Sequence, residues 1–260
     1  MTQPLFTVSN LSLRFGHAQV YDRFSVTVPI GGLTGIIGPN GCGKSTLLRC
    51  LAGIQKPDRG RIALNGRPLA QLADSARARQ IAYLPQEPPN LPEMTVAGLI
   101  GKGRAPWRRA FAPFSRADKT AIDTALQSTG LAELRNRRLA TLSGGQRQRA
   151  WLAMALAQNT PVILLDEPTS YLDIQHQLSL LKLLRTLADD QHRSIIMVLH
   201  DLTLAGRFCD HVLGLRAGQL ICAGPPEHAI TQDTVAALYD IHAQVAPDPV
   251  FGKPVVYPSR

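Results

Sequence analysis

Nine consecutive residues, Gly38, Pro39, Asn40, Gly41, Cys42, Gly43, Lys44, Ser45 and Thr46, satisfy every fixed position of the pattern G-x-x-x-x-G-K-[ST]. The chemistry that calls for these types at this spacing is the holding of a phosphorylated ligand. Gly38, Gly41 and Gly43 allow positive φ and close approach of the backbone, so that successive N–H groups can face phosphate oxygens. Lys44 supplies a mobile cation for the outer phosphates, and the Ser45 hydroxyl is of the type that ligates Mg²⁺.

A second group lies at Val162-Ile163-Leu164-Leu165-Asp166-Glu167, an apolar run that ends in two carboxylates. Packing asks for the apolar residues but not for acids at the tip. Beside a phosphate loop, the first carboxylate belongs near Mg²⁺ together with Ser45, and Glu167 one residue on can orient or deprotonate the attacking water. His200 follows another apolar run, Ile195 to Leu199, at the strand edge where open α/β sheets bind ligands. Its imidazole could hold the water, Glu167 or a γ-phosphate oxygen. Leu142-Ser143-Gly144-Gly145-Gln146 opens a helix that Ser143 can cap, and the two glycines leave its first N–H groups open to an anion. The histidines lack H-E-x-x-H spacing, so no metal site built by protein alone is expected.

The elements that must position these groups follow from periodicity. Leu33 to Ile37 reads as a buried strand, and Lys44 to Ala52 as a helix stopped by Gly53, which puts the phosphate loop at a strand-to-helix turn. Leu5 to Phe15 and Phe24 to Val28 read as strands of an antiparallel sheet, followed by Arg61 to Leu64 and Ile81 to Leu84 across a polar segment, 67–80. Pro85, Pro88, Pro89 and Pro92 then mark a boundary. From Thr95 to Gln158 the pattern is helical, with helices at 96–100, 116–129 and from Ser143. Strand 162–166, helix 175–189, strand 194–199 and helix 202–209 follow, the alternation of βαβ units and a parallel sheet. The tail from Pro247 reads as extended, with Val250, Phe251, Val255 and Tyr257 available for packing.

The 260 residues are ordinary for a globular protein, at 45% hydrophobic and 18% charged. No apolar run is long enough to span a bilayer, and residues 1–10 lack a secretory pattern, so a cytosolic chain is expected. Cys42, Cys50, Cys209 and Cys222 are scattered and read as reduced thiols. The net charge of +9 gathers in Arg104, Arg108, Arg109 and Arg116, then in Arg135, Arg137 and Arg138. It fits nucleic acid, an anionic membrane surface or a solvated basic face.

The set GPNGCGKST, LSGGQ, VILLDEP and a histidine after the next strand resembles the nucleotide-binding subunit of ATP-binding cassette (ABC) transporters over nearly the whole chain. The resemblance implies an α/β fold, a P-loop NTPase (RecA-like) core with an antiparallel β subdomain and an inserted α-helical subdomain. The implied limits are 1–88 and 160–240 for the core, 89–159 for the helical insert with the signature motif, and 241–260 for a tail. It implies an ATPase that pairs with itself head to tail, so that Ser143, Gly144, Gly145 and Gln146 of one copy close over ATP held by the phosphate loop of the other. By motif, Gln86 in Tyr83-Leu84-Pro85-Gln86 would contact Mg²⁺ and sense the membrane partner. Phe15 in Leu13-Arg14-Phe15-Gly16 would stack on adenine, where tyrosine is commoner, a change that stacking tolerates. Ser170-Tyr171-Leu172-Asp173 would communicate between subunits.

Gly103-Arg104-Ala105-Pro106-Trp107, the run from Thr169 to Gln177 and the proline-rich ending resemble the ATPases of iron-chelate uptake, ferric siderophore and ferric citrate members before haem or cobalamin ones. The expected partners are integral membrane permease subunits and, through them, a periplasmic or lipoprotein substrate-binding protein. The expected place is the cytoplasmic side of a bacterial inner membrane, with the Arg104 to Arg116 cluster near the lipid and nucleic acid no partner. The rival class is a soluble cassette ATPase of DNA repair or ribosomes, which usually carries two cassettes or long inserted arms. A guanine-nucleotide switch would need an [NT]-K-x-D segment, which the chain lacks.

Overall fold

A computed structural model describes residues 4–109, 112–170 and 172–259. In chain order the elements are β1 (Phe6–Phe15), β2 (Ala18–Val28), β3 (Gly32–Ile37), α1 (Lys44–Leu51), β4 (Arg59–Leu64), β5 (Arg67–Pro68), α2 (Asp74–Ala78), β6 (Ile81–Leu84), α3 (Val96–Lys102), α4 (Arg116–Ser128) and α5 (Gly144–Ala157). They continue with β7 (Val162–Leu165), α6 (Ile174–Gln191), β8 (Ser194–Val198), α7 (Leu202–Phe208), β9 (His211–Arg216), β10 (Gln219–Gly224), α8 (Pro226–Ala229), α9 (Gln232–Tyr239), β11 (Ala243–Pro247) and β12 (Pro254–Pro258). Two compact units divide them, Met1–Leu72 with Leu184–Arg260, and Ala73–Leu183. This partition by packing differs from an 89–159 insert, because β6 and β7 pair with each other and group with the helices between them.

In the first unit, an antiparallel sheet runs β2-β1-β4-β5. Phe6 and Val8, then Leu11 and Leu13, are the buried residues of β1, a period-2 pattern shifted once at the register irregularity around Asn10, and this is the mark of a sheet with one face in a core. Strand β2 begins at Ala18, six residues ahead of its expected start, since Arg14 and Phe15 pair with Gln19 and Ala18 across a turn at Gly16. A second set of strands is ordered β10-β9-β3-β8, with β3 parallel to both β8 and β9. Leu33 to Ile37 is buried throughout, because a parallel strand is covered on both faces and reads as one apolar run.

The carboxyl-terminal part of this unit is more regular than an extended tail. Strands β11 and β12 form an antiparallel hairpin, and Pro254 of β12 seats against α7 at Gly206, where an added Cβ would lie 2.7 Å from the Pro254 carbonyl oxygen.

In the second unit, β6 and β7 are parallel neighbours, and α3, α4 and α5 pack on one another. Ser115 caps α4 and exchanges hydrogen bonds with Asp118 in a capping box. The polar segment 67–80 contains the short helix α2. Arg104 departs from the expected basic face. It is 6% exposed, with Nε donating to Asp118 Oδ1 at 2.8 Å and a terminal nitrogen donating to the Ala157 carbonyl at 2.8 Å. A buried guanidinium needs such partners, so Arg104 serves the core of the unit and not its surface. Arg109, Arg116, Arg135, Arg137 and Arg138 are exposed.

Candidate nucleotide site

The phosphate loop, in the first unit, spans from the end of β3 to the start of α1. Gly38 has φ +141°, Gly41 +75° and Gly43 +111°, backbone conformations in which a side chain would be strained. At Gly38 a Cβ would also lie 2.0 Å from the Leu215 carbonyl oxygen, and at Gly43 one would lie 2.6 Å from the Tyr21 hydroxyl. Around Gly41 a Cβ would meet nothing within 4 Å, so the middle of the loop borders open space.

Helix α1 is capped by Gly43 with no side-chain hydrogen bond, and no acidic residue lies in its first turn. Its first N–H groups have no acceptor within the helix and give that end a partial positive charge. Lys44 is 5% exposed and donates from Nζ to the carbonyl oxygens of Gly38 and Pro39, both at 2.8 Å. Together the N–H groups and the ammonium suit a polyphosphate. Burial pushes the Cys42 thiol up, against the opposing pull of Lys44, so it adds no anion to the loop.

His200 belongs to the same unit. The parallel register pairs Ile36 with Val198, and the Leu199 N–H donates to the Ile36 carbonyl at 3.1 Å, which carries His200 to the level where β3 gives way to the phosphate loop. It is exposed there, and Asp201 caps α7 behind it. Phe15, at the tip of the β1–β2 hairpin, is 46% exposed, so its ring is open to stacking.

In the second unit, strand β7 stops at Leu165, one residue short of expectation, and Asp166 and Glu167 sit in the bend beyond it. Asp166 is 1% exposed, with its backbone N–H on the Leu84 carbonyl at 2.9 Å and Tyr83 donating to its carboxylate at 3.4 Å. Glu167 has φ +52°, a conformation that costs a non-glycine residue about 1 kcal/mol or more and is concentrated at functional sites. Its Oε2 accepts from Gln86 Nε2 at 2.7 Å and from the Ser170 hydroxyl at 3.1 Å. Gln86, Trp151, Arg147, Glu167 and Pro168 help line a cavity of about 310 Å³ within this unit. The structure thus brings Gln86 and Glu167 into contact and adds Ser170, whose part no motif spacing reveals.

The Ser143 loop lies in this unit too. The Ser143 hydroxyl accepts from the Gln146 N–H at 3.2 Å, and the Gln146 side chain accepts from the Ser143 N–H at 3.0 Å. A Cβ on Gly144 would meet nothing within 4 Å, whereas one on Gly145 would touch Leu172 at 3.3 Å. Gln148 of α5 donates to the Pro168 carbonyl. Asp173 Oδ1 accepts from the His176 backbone at 2.8 Å and contacts its ring nitrogen at 2.7 Å, bonds that hold the Asp173 carboxyl below its ordinary range. Tyr171, named with this stretch in the sequence, lies outside the described residues. Among those residues, no helix is long and apolar enough to cross a membrane, and no cluster of three or more His, Cys, Asp or Glu could hold a metal by itself.

Residues 21–170 match the family profile described as ABC transporter. The ferric enterobactin transport ATP-binding protein FepC of Escherichia coli (strain K12) is 41% identical over 248 residues, covering 95% of this chain and 92% of FepC. Among solved structures, an inward-facing metal-chelate type ABC transporter aligns over 100% of this chain and 98% of its own, with TM-score 0.85 and 27% identity. The dimeric ATP-binding cassette MJ0796, in a post-hydrolysis state with ADP and Pi, aligns over 85% of this chain and 98% of its own, with TM-score 0.75 and 25% identity. The phosphate loop, the paired carboxylates and the α/β architecture of a P-loop ATPase agree with these likenesses, and the chain belongs to the ABC transporter family.

Proposed function

We propose that this chain is the ATP-hydrolysing subunit of an importer for iron chelates of the ferric siderophore or ferric citrate type. The observation that carries the reading is the match to FepC, a ferric enterobactin transport ATP-binding protein, across 95% of the chain. It favours a siderophore importer over a soluble ATPase of DNA or ribosomes.

The proposed roles follow the residue chemistry. Gly38 to Thr46 hold the phosphates, with Lys44 moving from its two carbonyl oxygens to the more negative phosphate oxygens. Phe15 stacks on adenine. Glu167, oriented by Gln86 and Ser170, accepts a proton from the attacking water. His200 contacts the γ-phosphate. Ser45, Gln86 and Asp166 have the hard oxygen donors that Mg²⁺ prefers, and the ion would neutralise charge on the phosphates.

Two copies pair head to tail, Ser143, Gly144, Gly145 and Gln146 of each facing the nucleotide of the other and Asp173 communicating between them. Open space at Gly144 supports that approach. The dimer works at the cytoplasmic face of a bacterial inner membrane, on permease subunits supplied by a substrate-binding protein. The reading also takes the chain as one ATPase domain whose helical part, 89–159, faces the permease.

Affinity purification from membranes of the native host, with mass spectrometry of what is retained, tests this. A permease together with an iron-chelate binding protein is the expected result. Ribosomal proteins or DNA repair factors without a permease would overturn it.

A further inference from the structure

Two tyrosine hydroxyls grip the phosphate loop at its two ends. The Tyr21 hydroxyl, on β2, donates to the Gly43 carbonyl at 2.8 Å, and the Tyr239 hydroxyl, at the end of α9, accepts from the Gly38 N–H at 2.9 Å. Tyr239 comes from the far end of the chain, 201 residues from Gly38 in sequence. No motif of the nucleotide site includes it.

The phenol is rigidly carried. Thr231 and Thr234 form a capping box at the start of α9, Arg216 donates to the Ala237 carbonyl at 2.5 Å, and Leu238 packs where a Cβ on Gly214 of β9 would lie 3.0 Å away. Beyond Tyr239, Asp240 in the left-handed conformation ends the helix and leads to the β11–β12 hairpin, itself seated on α7. Burial, with the Gly38 hydrogen bond opposing, raises the Tyr239 hydroxyl to about 12, so it remains a neutral acceptor beside an anion-binding loop.

We propose that Tyr239 is a positioning residue for the nucleotide site, one that fixes the first glycine of the phosphate loop so that the loop is formed before nucleotide arrives. The inference rests on the ATP reading above. Gly38 is where the need is greatest. Its φ of +141° is open to glycine, whose unfolded and misdirected alternatives are the most numerous, and its carbonyl receives Lys44. An anchored Gly38 reduces the ordering left to be done on binding, which favours ground state and transition state alike. The contact therefore governs affinity and leaves turnover at saturation nearly untouched.

Tyr239→Phe removes the acceptor and keeps the ring. The expected result is a rise of about two- to tenfold in KM for ATP and in Kd for ADP, the range spanned by one net hydrogen bond. With it come kcat within about twofold of wild type, faster hydrogen exchange at the Gly38 amide and a melting temperature lower by about 2–4 °C, the shift that loss of one hydrogen bond brings. Wild-type affinity for both nucleotides, or a fall in kcat in step with affinity, would overturn the assignment. A wild-type chain that binds neither nucleotide would instead overturn the ATP reading on which it rests.

Discussion

Gln86 and Glu167 meet through one hydrogen bond, Gln86 Nε2 donating to Glu167 Oε2 at 2.7 Å, on a glutamate whose backbone is held at φ +52°. Gln86 follows Pro85 in the proline-rich segment after β6 and Glu167 ends the bend after β7, so two adjacent parallel strands deliver the pair. Ser170 shares the same carboxylate oxygen at 3.1 Å. Gln86, Ser170 and the backbone at Glu167 thus all bear on the direction of this carboxylate, and a change at Gln86 removes one of its hydrogen bonds.

Gln86→Ala should lower kcat for ATP hydrolysis by about 10- to 100-fold, the cost of a misplaced reacting group, while nucleotide affinity stays near wild type. Steady-state kinetics beside equilibrium binding would check it. An unaltered kcat would show that Glu167 is aimed without Gln86.

Lys44→Ala should abolish tight ATP binding. The loop has no acidic neighbour in the first turn of α1 and draws its full positive charge from Lys44, whose ammonium rests on two carbonyl oxygens that bind it more weakly than phosphate would. Equilibrium dialysis with ATP measures this, and wild-type affinity in the variant would remove Lys44 from the site.

Asp118→Ala should destabilise the protein by about 3–5 kcal/mol, because it strands the buried Arg104 guanidinium. Burial alone would raise the Asp118 carboxyl, but the Ser115 hydroxyl and the Arg104 guanidinium outweigh it and hold it at about 2, below the ordinary 3.8. Its folded form is therefore the more acidic one. The stabilisation from this pair is full above about pH 4 and is lost as pH falls from 4 towards 2. Urea unfolding at pH 7 and at pH 3 checks both claims: the gap between wild type and variant should narrow at the lower pH.

Much of the candidate nucleotide site can be named from the sequence because the chemistry it would perform restricts residue types. Three glycines at positive φ, a lysine and a hydroxyl cannot be exchanged for packing equivalents, and the apolar run before Asp166 and Glu167 marks its own strand. Strand β9 is less legible. Gly214 interrupts its apolar run, and only the structure gives the reason, that Cys222 Sγ would lie 2.4 Å from a Cβ there. Arg104 reads in sequence as one more charge in a basic cluster, since nothing local says that Asp118, fourteen residues on, will bury it. The bond from Ser170 to Glu167 and the place of Tyr239 escape for a related reason. Each residue acts through a single hydrogen bond fixed by tertiary placement, and a serine or tyrosine at either position fits many roles.

The central claim, that Glu167 drives hydrolysis of ATP held between two copies of the chain, is tested most directly by Glu167→Gln. Turnover and size-exclusion behaviour of the variant should be measured with and without Mg²⁺ and ATP. The account predicts nucleotide affinity like that of wild type, hydrolysis slower by about 10²- to 10⁴-fold, and elution at the mass of two chains when ATP is present. Elution at the mass of one chain in ATP, with turnover undiminished, would contradict it.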